Sequence, residues 1–293
     1  MSYNGFLNVL KPSGPTASDV VVKIKRLLNQ KKVGHLGTLD PGAAGVLPIA
    51  IGKGAKLFDV LVYKDKKYRA YFTFGKTTDT LDSYGKVIEQ KPFCFTQEQL
   101  IQATQSLVGK IKQIPPQYSA LSVGGVRAYD LARSGKNVQL TAREVTIKSF
   151  EVIRRVSQNT WCFDIVCSGG TYIRSIARDV AQALGTVAYM SLLIRQQSGA
   201  FCIDDAVTLE ELEKNAAEHL LDLKYPLKGY KTLILPQKYL KMLKNGVKLT
   251  NIDKIDNTIT DIDLYKVYCD GIFFGLGQKD DQNRFVVKYR LDD

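Results

Sequence analysis

The amino-acid sequence predicts an α+β protein, a mixed body of helices and strands followed by a small β-rich domain. Three observations predict it. The run KKYRAYFTFG alternates, with Tyr68, Ala70, Phe72 and Phe74 on one face and Arg69, Tyr71 and Thr73 on the other, which is the period of a strand. Asp19 to Gln30 sets Val20, Val21, Ile24, Leu27 and Leu28 along one side of a helix. Past a linker expected at Asp222 to Gly229, short strands recur at Tyr265 to Cys269, Ile272 to Leu276 and Phe285 to Tyr289.

The remaining elements follow in chain order. Gly5 to Leu10 is a short apolar strand, and KPSGPTASD is a turn carrying helix-capping residues. A glycine-rich stretch precedes the alternating strand. Thr96 caps a helix running to Val108, with Glu98 and Gln99 in its first turn. Val145 to Val156 and Trp161 to Cys167 form a strand pair turned at SQN. SGGTYIRSIARDVAQALG is a glycine turn entering a helix that Gly185 ends, and Val187 to Arg195 is a further strand. No internal repeat or low-complexity tract is present.

Composition narrows the function. Over 293 residues, 45% are apolar and 24% charged, enough apolar material for a sizeable core and against disorder. No apolar run approaches the roughly 20 residues that span a bilayer, and the N-terminus has no signal-peptide pattern. Five scattered cysteines without a CxxC pair read as buried thiols in a reducing cytoplasm. Two histidines, His35 and His219, leave no zinc-site pattern. The net charge is +12, and Pro236 to Asp293 contributes only +1 of it. A cationic body of this kind attracts polyanions, although solubility alone explains the same charge equally well.

Two stretches stand out for chemistry. GHLGTLDPGAAGVLPIAIGKGAK carries six glycines, His35 and the single acid Asp40. Asp-Pro opens turns, but a turn does not need glycines at 34, 37, 42 and 45. These let backbone or ligand approach the acid on both sides. GKGAK lacks the phosphate-loop spacing. SGGTYIRSIARD places free N–H groups before a helix, with Arg174 and Arg178 on one helical face; alone, that face reads as solvated. Tyr68 sits on the apolar face of its strand and reads as partly core. TTDTLD, Thr77 to Asp82, reads as a turn rather than a metal loop.

Taken together and in order, several segments resemble the TruB-type tRNA pseudouridine synthases. NVLKPSGPTASDVV resembles the family's opening segment, GHLGTLDPGAAGVLP its catalytic loop, and KKYRAYFTFGKTTDTLDSYG its tyrosine strand and following turn. IPPQYSALSVGGVRAYDLARSG, CSGGTYIRSIARDVAQALG and SLLIRQQSG complete the series. The match spans most of residues 5 to 200. DGIFFGLGQ and its neighbouring strands resemble, more weakly, a PUA-type RNA-binding barrel. Ala17, Leu36, Ala44 and Ala181 depart from the family pattern, and none removes a catalytic group.

The resemblance implies a mixed, largely antiparallel central sheet flanked by helices, the pseudouridine synthase fold, over residues 1–230. It implies a PUA-like barrel over 231–293. It implies isomerisation of uridine to pseudouridine at position 55 in the tRNA T-loop. Asp40 is then the essential carboxylate, acting as nucleophile at the anomeric carbon or as base at the neighbouring ribose position. Arg174 is its cationic partner. Tyr68 stacks on the flipped uracil, Tyr172 and Leu193 complete the pocket, and His35 enters the space the base vacates in the RNA. The reaction imports no group, so no cofactor or metal is implied. The expected partner is the T-arm stem-loop of tRNA, without a guide RNA or a membrane. The expected protein is a cytoplasmic monomer. The competing expectation is an RNA-binding or tRNA-folding protein without essential catalysis. A nucleotide-phosphate enzyme using GKGAK is a third reading.

Overall fold

A computed structural model describes residues 3–119, 122–123, 126–127, 140–250, 259 and 263–292. Part of the segment IPPQYSALSVGGVRAYDLARSG lies outside the described residues.

The body is built on one nine-stranded sheet. Its strands are β1 (Gly5–Lys11), β2 (Val33–His35), β3 (Ala44–Ile51), β4 (Lys66–Phe74), β5 (Gly109–Gln113), β6 (Arg143–Arg155), β7 (Thr160–Cys167), β8 (Ala188–Ser198) and β9 (Phe201–Cys202). The order is β1-β3-β8-β4-β7-β6-β5, with β2 on β3 and β9 on β8. Pairing is antiparallel except between β3 and β8, where Ile194 faces Ala44 and Arg195 faces Gly45. That crossing sets Arg195 beside Tyr68 and Leu193 beside Ala70 in the next ladder. Three distant stretches of sequence thus meet mid-sheet.

The alternation of the inner strands divides the apolar residues between two faces. Leu7, Val9, Leu47, Ile49 and the Tyr68–Phe74 row join one cluster with the helices. These are α1 (Ala17–Leu27), α2 (Gln97–Gln105), α3 (Ile173–Ala183) and α4 (Leu209–Asn215). Phe6, Val46 and Ala50 point to the other face, where Leu227, Leu276 and Leu291 cover them. Capping boxes start α1 at Thr16 with Asp19, α2 at Thr96 with Gln99 and α4 at Thr208 with Glu211. Along α1 the buried stripe is Val20, Val21, Ile24 and Leu28, while Leu27 is 36% exposed. It follows Ile24 by three residues and turns off the face that Leu28 keeps. Ala17, Leu36 and Ala181, which depart from the family pattern, are all buried.

Beyond the body, β10 (Thr232–Leu235), β11 (Tyr265–Cys269), β12 (Ile272–Lys279) and β13 (Phe285–Arg290) form a four-stranded sheet. It encloses its own cluster around Leu233, Val267, Phe274 and Phe285. One expectation needs correction here, and one reading is supported. Asp222 to Gly229 is no free linker: Leu221, just before it, exchanges backbone hydrogen bonds with Phe6, and Leu227 is fully buried. Nor is GKGAK a phosphate cradle. A Cβ on Gly54 would stand 2.4 Å from the Gly5 carbonyl oxygen. Lys53 and Lys56 donate to the carbonyls of Asp292 and Arg290, so the segment ties the tail to the body. Among the described residues no helix is long and apolar enough to cross a membrane.

Candidate active site

Asp40 lies on the turn between β2 and β3, and three segments brace that turn. From the start of the chain, Lys11 Nζ donates to the carbonyls of Pro12, Pro41 and Ala43 at 2.8, 3.2 and 2.7 Å. Gly14 N–H donates to Pro41 O, and the Ser13 hydroxyl to Gly42 O. This explains locally why the opening Lys-Pro-Ser-Gly accompanies the Asp40 loop. From β8, the guanidinium of Arg195, 1% exposed, donates to the carbonyls of Val46, Thr38 and Gly37. Two buried cations thus grip the backbone on either side of Asp40. The third contact is Arg174 on α3.

Arg174 Nε stands 2.9 Å from Asp40 Oδ2, and Nη2 donates to Oδ1 at 3.2 Å. The pair is therefore two-pronged, which fixes the carboxylate plane as well as its charge. The remaining donors go to Thr80 O and Tyr118 O, with Asp82 Oδ2 3.7 Å from Nη1. The arginine side chain is 7% exposed and the Asp40 side chain 36%. The cation is held while the carboxylate stays reachable. Arg174 is thus not part of a solvated basic face; Arg178 instead bonds Asp179 and Ile114 O.

Two cavities open on this pair. One of about 240 Å³ is lined by Tyr68, Tyr172, Leu193, Lys66, Ser119 and Arg195 together with Asp40 and Arg174. The other, about 310 Å³, has Asp82, Tyr84, Tyr118 and Leu192 around the same pair. Asp40, Tyr68, Tyr172, Arg174 and Leu193 are therefore brought together. His35 is not: it ends β2, lines neither cavity, and among the described residues its buried Nδ1 has no hydrogen-bond partner. Burial first and Arg195 second hold its pKa down, favouring the neutral ring. Burial raises the pKa values of Tyr68 and Tyr172, keeping both as neutral phenols. Tyr172 is locked at the entry to α3 by Gln113, whose amide exchanges hydrogen bonds with its backbone N–H and carbonyl.

Of the two readings of these glycines, backbone or ligand approach, the structure supports the approach of protein atoms. A Cβ on Gly45 would lie 2.3 Å from the Arg195 carbonyl oxygen, and one on Gly42 would lie 2.2 Å from the Tyr84 ring. Both clear space for the protein itself, letting β8 and Tyr84 close on the Asp40 turn. Gly37, with φ of +114°, is the one that lines the Tyr68 cavity. Sequence reasoning missed Lys11, Asp82, Gln113 and Arg195. Their partners are mostly backbone carbonyls or residues far along the chain; for Asp82 the TTDTLD turn was the available signal.

Lys11 carries two predictions. Lys11→Met leaves three carbonyls without their donor and lowers stability by roughly 3 kcal/mol, read by denaturant melts. Burial pushes the Lys11 ammonium down to about 8 from 10.5, against the pull of Asp40. Between those two values the unfolded chain holds more protons, so this group raises stability as pH climbs through the window. Turnover moves the opposite way, because a neutral amine has two N–H groups for three carbonyls. A pH–rate profile should fall through about pH 8 with no parallel fall in melting temperature.

Comparison with known proteins bears on this geometry. The TruB family pseudouridylate synthase N-terminal domain matches residues 25–173, and the tRNA pseudouridylate synthase B C-terminal domain matches 174–238. The chain is 38% identical to tRNA pseudouridine synthase B of Clostridium perfringens (strain 13 / Type A) over 293 residues, covering 99% of this chain and 100% of that one. It is 39% identical to the protein of the same name from Alkaliphilus oremlandii over 290 residues, 97% of each. Among solved structures, a chain of a Cbf5-Nop10-Gar1 complex superposes with a TM-score of 0.71 at 24% identity, covering 94% of this chain and 78% of that one. A chain of an H/ACA RNP bound to a substrate RNA containing 2′-deoxyuridine gives 0.70 at 22% identity, covering 98% and 84%. At these identities the two structures speak for the fold, which is that of the pseudouridine synthases.

Proposed function

Because the chain belongs to the TruB family of pseudouridylate synthases, we propose that it isomerises uridine to pseudouridine in tRNA, with uridine 55 of the T-loop as target and Asp40 as the essential carboxylate. The observation that carries the site assignment is the two-pronged Asp40–Arg174 contact facing a cavity walled by Tyr68, Tyr172 and Leu193. The target base leaves its stack, at a cost of a few kcal/mol, and enters that cavity. Tyr68 lies against its face and Leu193 gives the opposite apolar wall. Asp40 then acts at the ribose, as nucleophile or as base. His35 stands outside the pocket, which suits a ring that fills the gap left in the RNA loop.

We further propose that residues 1–230 carry catalysis and 231–293 add a PUA-like RNA contact. The separate apolar cluster of the tail sheet supports this division. The protein would work in the cytoplasm as a monomer on the T-arm stem-loop, with no guide RNA. Nucleoside analysis of that stem-loop after incubation with purified protein alone should show pseudouridine at position 55 and at no other uridine. A need for added guide RNA, or tight binding without conversion, contradicts the proposal.

Lys31 and Lys32 follow α1 on the cationic body. Replacing both by alanine should weaken binding and reduce the slope of log affinity against log salt by about 1 to 2. Titrations at several salt concentrations check this, and an unchanged slope removes these lysines from the phosphate contacts.

A further inference from the structure

We propose that Lys66, supported by Arg195, is a catalytic residue that holds the negative charge developing on uracil as the bond between N1 and the ribose breaks. The proposal rests on the isomerase reading and gives the Tyr68 cavity a second task beyond holding the base.

The two cavities on the Asp40–Arg174 pair differ in charge. Around the Tyr68 cavity stand Lys66, Arg174 and Arg195 against the single carboxylate of Asp40. Around the Tyr84 cavity, Asp40 and Asp82 face Arg174. Arg174 is already answered by Asp40, so the Tyr68 cavity keeps two cations without a carboxylate of their own and suits an anion.

Lys66 is 6% exposed, at the start of β4. Its ammonium donates to the carbonyls of Val62 and Lys64, each at 2.6 Å. An ammonium has three N–H groups, two of which are used here, and Lys66 lines the cavity. Arg195 stands next to it: a Cβ on Gly37 would lie 3.8 Å from Lys66 Cε and 3.9 Å from Arg195 Nη1. Both cations therefore flank the same strip of backbone, just before Asp40.

Among the described residues no carboxylate other than Asp40 lines this cavity. Asp65, next in sequence, is held by Lys148 at 2.5 Å. The Cys167 thiol is pushed up to about 12 by burial, and the Tyr68 phenol is also raised, so both stay neutral. Burial, then Arg195, brings the Lys66 ammonium down to about 8. A charge kept dry and unpaired in a cavity is costly and becomes useful when an anion forms there. Fixed donors aimed at developing charge need no reorganisation during the reaction.

In either role for Asp40, the N1–C1′ bond breaks with its electron pair passing to uracil, spread over N1, O2 and O4. The C5–C1′ bond then forms, C5 releases its proton and N1 takes one up. The sum is an isomerisation with no outside reactant.

The test measures single-turnover conversion of a T-arm stem-loop and, separately, RNA affinity. Lys66→Gln keeps two donors for the Val62 and Lys64 carbonyls and removes the charge. It should slow conversion by about 100-fold with affinity within about threefold of wild type. Lys66→Arg, which restores the cation, should recover most of the rate. With 5-fluorouridine at the target, whose electron-poor base departs more readily but whose C5 has no proton to release, breakage of the N1–C1′ bond is followed on both RNAs in place of pseudouridine formation, and the Lys66→Gln deficit should shrink by roughly tenfold. Conversion by Lys66→Gln at the wild-type rate, equal deficits on both RNAs, or a loss confined to affinity overturns the proposal. Failure of the wild-type protein to convert the uridine RNA would instead overturn the isomerase reading.

Discussion

Asp40→Asn abolishes uridine isomerisation, lowering the rate on the order of 10⁴-fold or more, while RNA affinity and fold persist. The geometry requires both halves of this result. Asp40 is the sole acid on the glycine-rich turn, and its side chain is the reachable partner of an almost wholly buried arginine. An amide has no negative charge and no lone pair basic enough for either catalytic role. The turn itself does not depend on the carboxylate. Lys11 and Arg195 hold it through the carbonyls of Pro41, Ala43, Gly37 and Thr38. Arg174 retains Thr80 O and Tyr118 O, so the loss of stability should stay within about 2 kcal/mol. Rate and melting temperature measured on one preparation check the two halves together.

Arg174→Lys should lower the rate by about 10² to 10³-fold and stability by roughly 2 to 5 kcal/mol. The substitution keeps the charge and loses the shape. A planar guanidinium meets both Asp40 oxygens and the carbonyls of Thr80 and Tyr118 at once; a single ammonium point cannot. Asp40 then loses its fixed plane, and buried carbonyls lose their donor. Because Arg174 also joins the Thr77–Asp82 turn to α3, the stability effect should exceed that of Asp40→Asn. Single-turnover rates and denaturant melts of the two variants give the comparison. Equal activity of Arg174→Lys and wild type contradicts the two-pronged contact as the orienting device.

Local pattern made most of the fold legible. The alternation of KKYRAYFTFG is the buried row of β4, and Thr96 caps α2 where expected, while α1 starts at Ala17, two residues before the expected Asp19, with Thr16 as its cap. Local pattern could not show that Asp222 to Gly229 packs, because what pins it is β1, more than two hundred residues earlier in the chain. The site was legible in part. Asp40 drew notice through its glycines, yet Gly42 and Gly45 admit Tyr84 and β8 rather than a ligand. Arg174 alone read as a surface charge, since its partner lies 134 positions away; the ordered resemblance joined the two. Lys11 and Arg195 left no signal because they bind backbone carbonyls, which every sequence has. TTDTLD was read as a turn; Thr77 and Thr78 end a short strand and the turn follows from Asp79, and Asp82 also faces Arg174.

The most direct measurement uses a T-arm stem-loop labelled with tritium at uracil C5, purified protein and no additive. Forming the new carbon bond expels the C5 proton. The account predicts tritium released to water by wild type, and none above background by an Asp40→Asn protein that still binds the RNA. Release by Asp40→Asn at the wild-type rate would contradict the assignment of the carboxylate, and salt-sensitive binding by wild type without release would mark an RNA-binding protein instead.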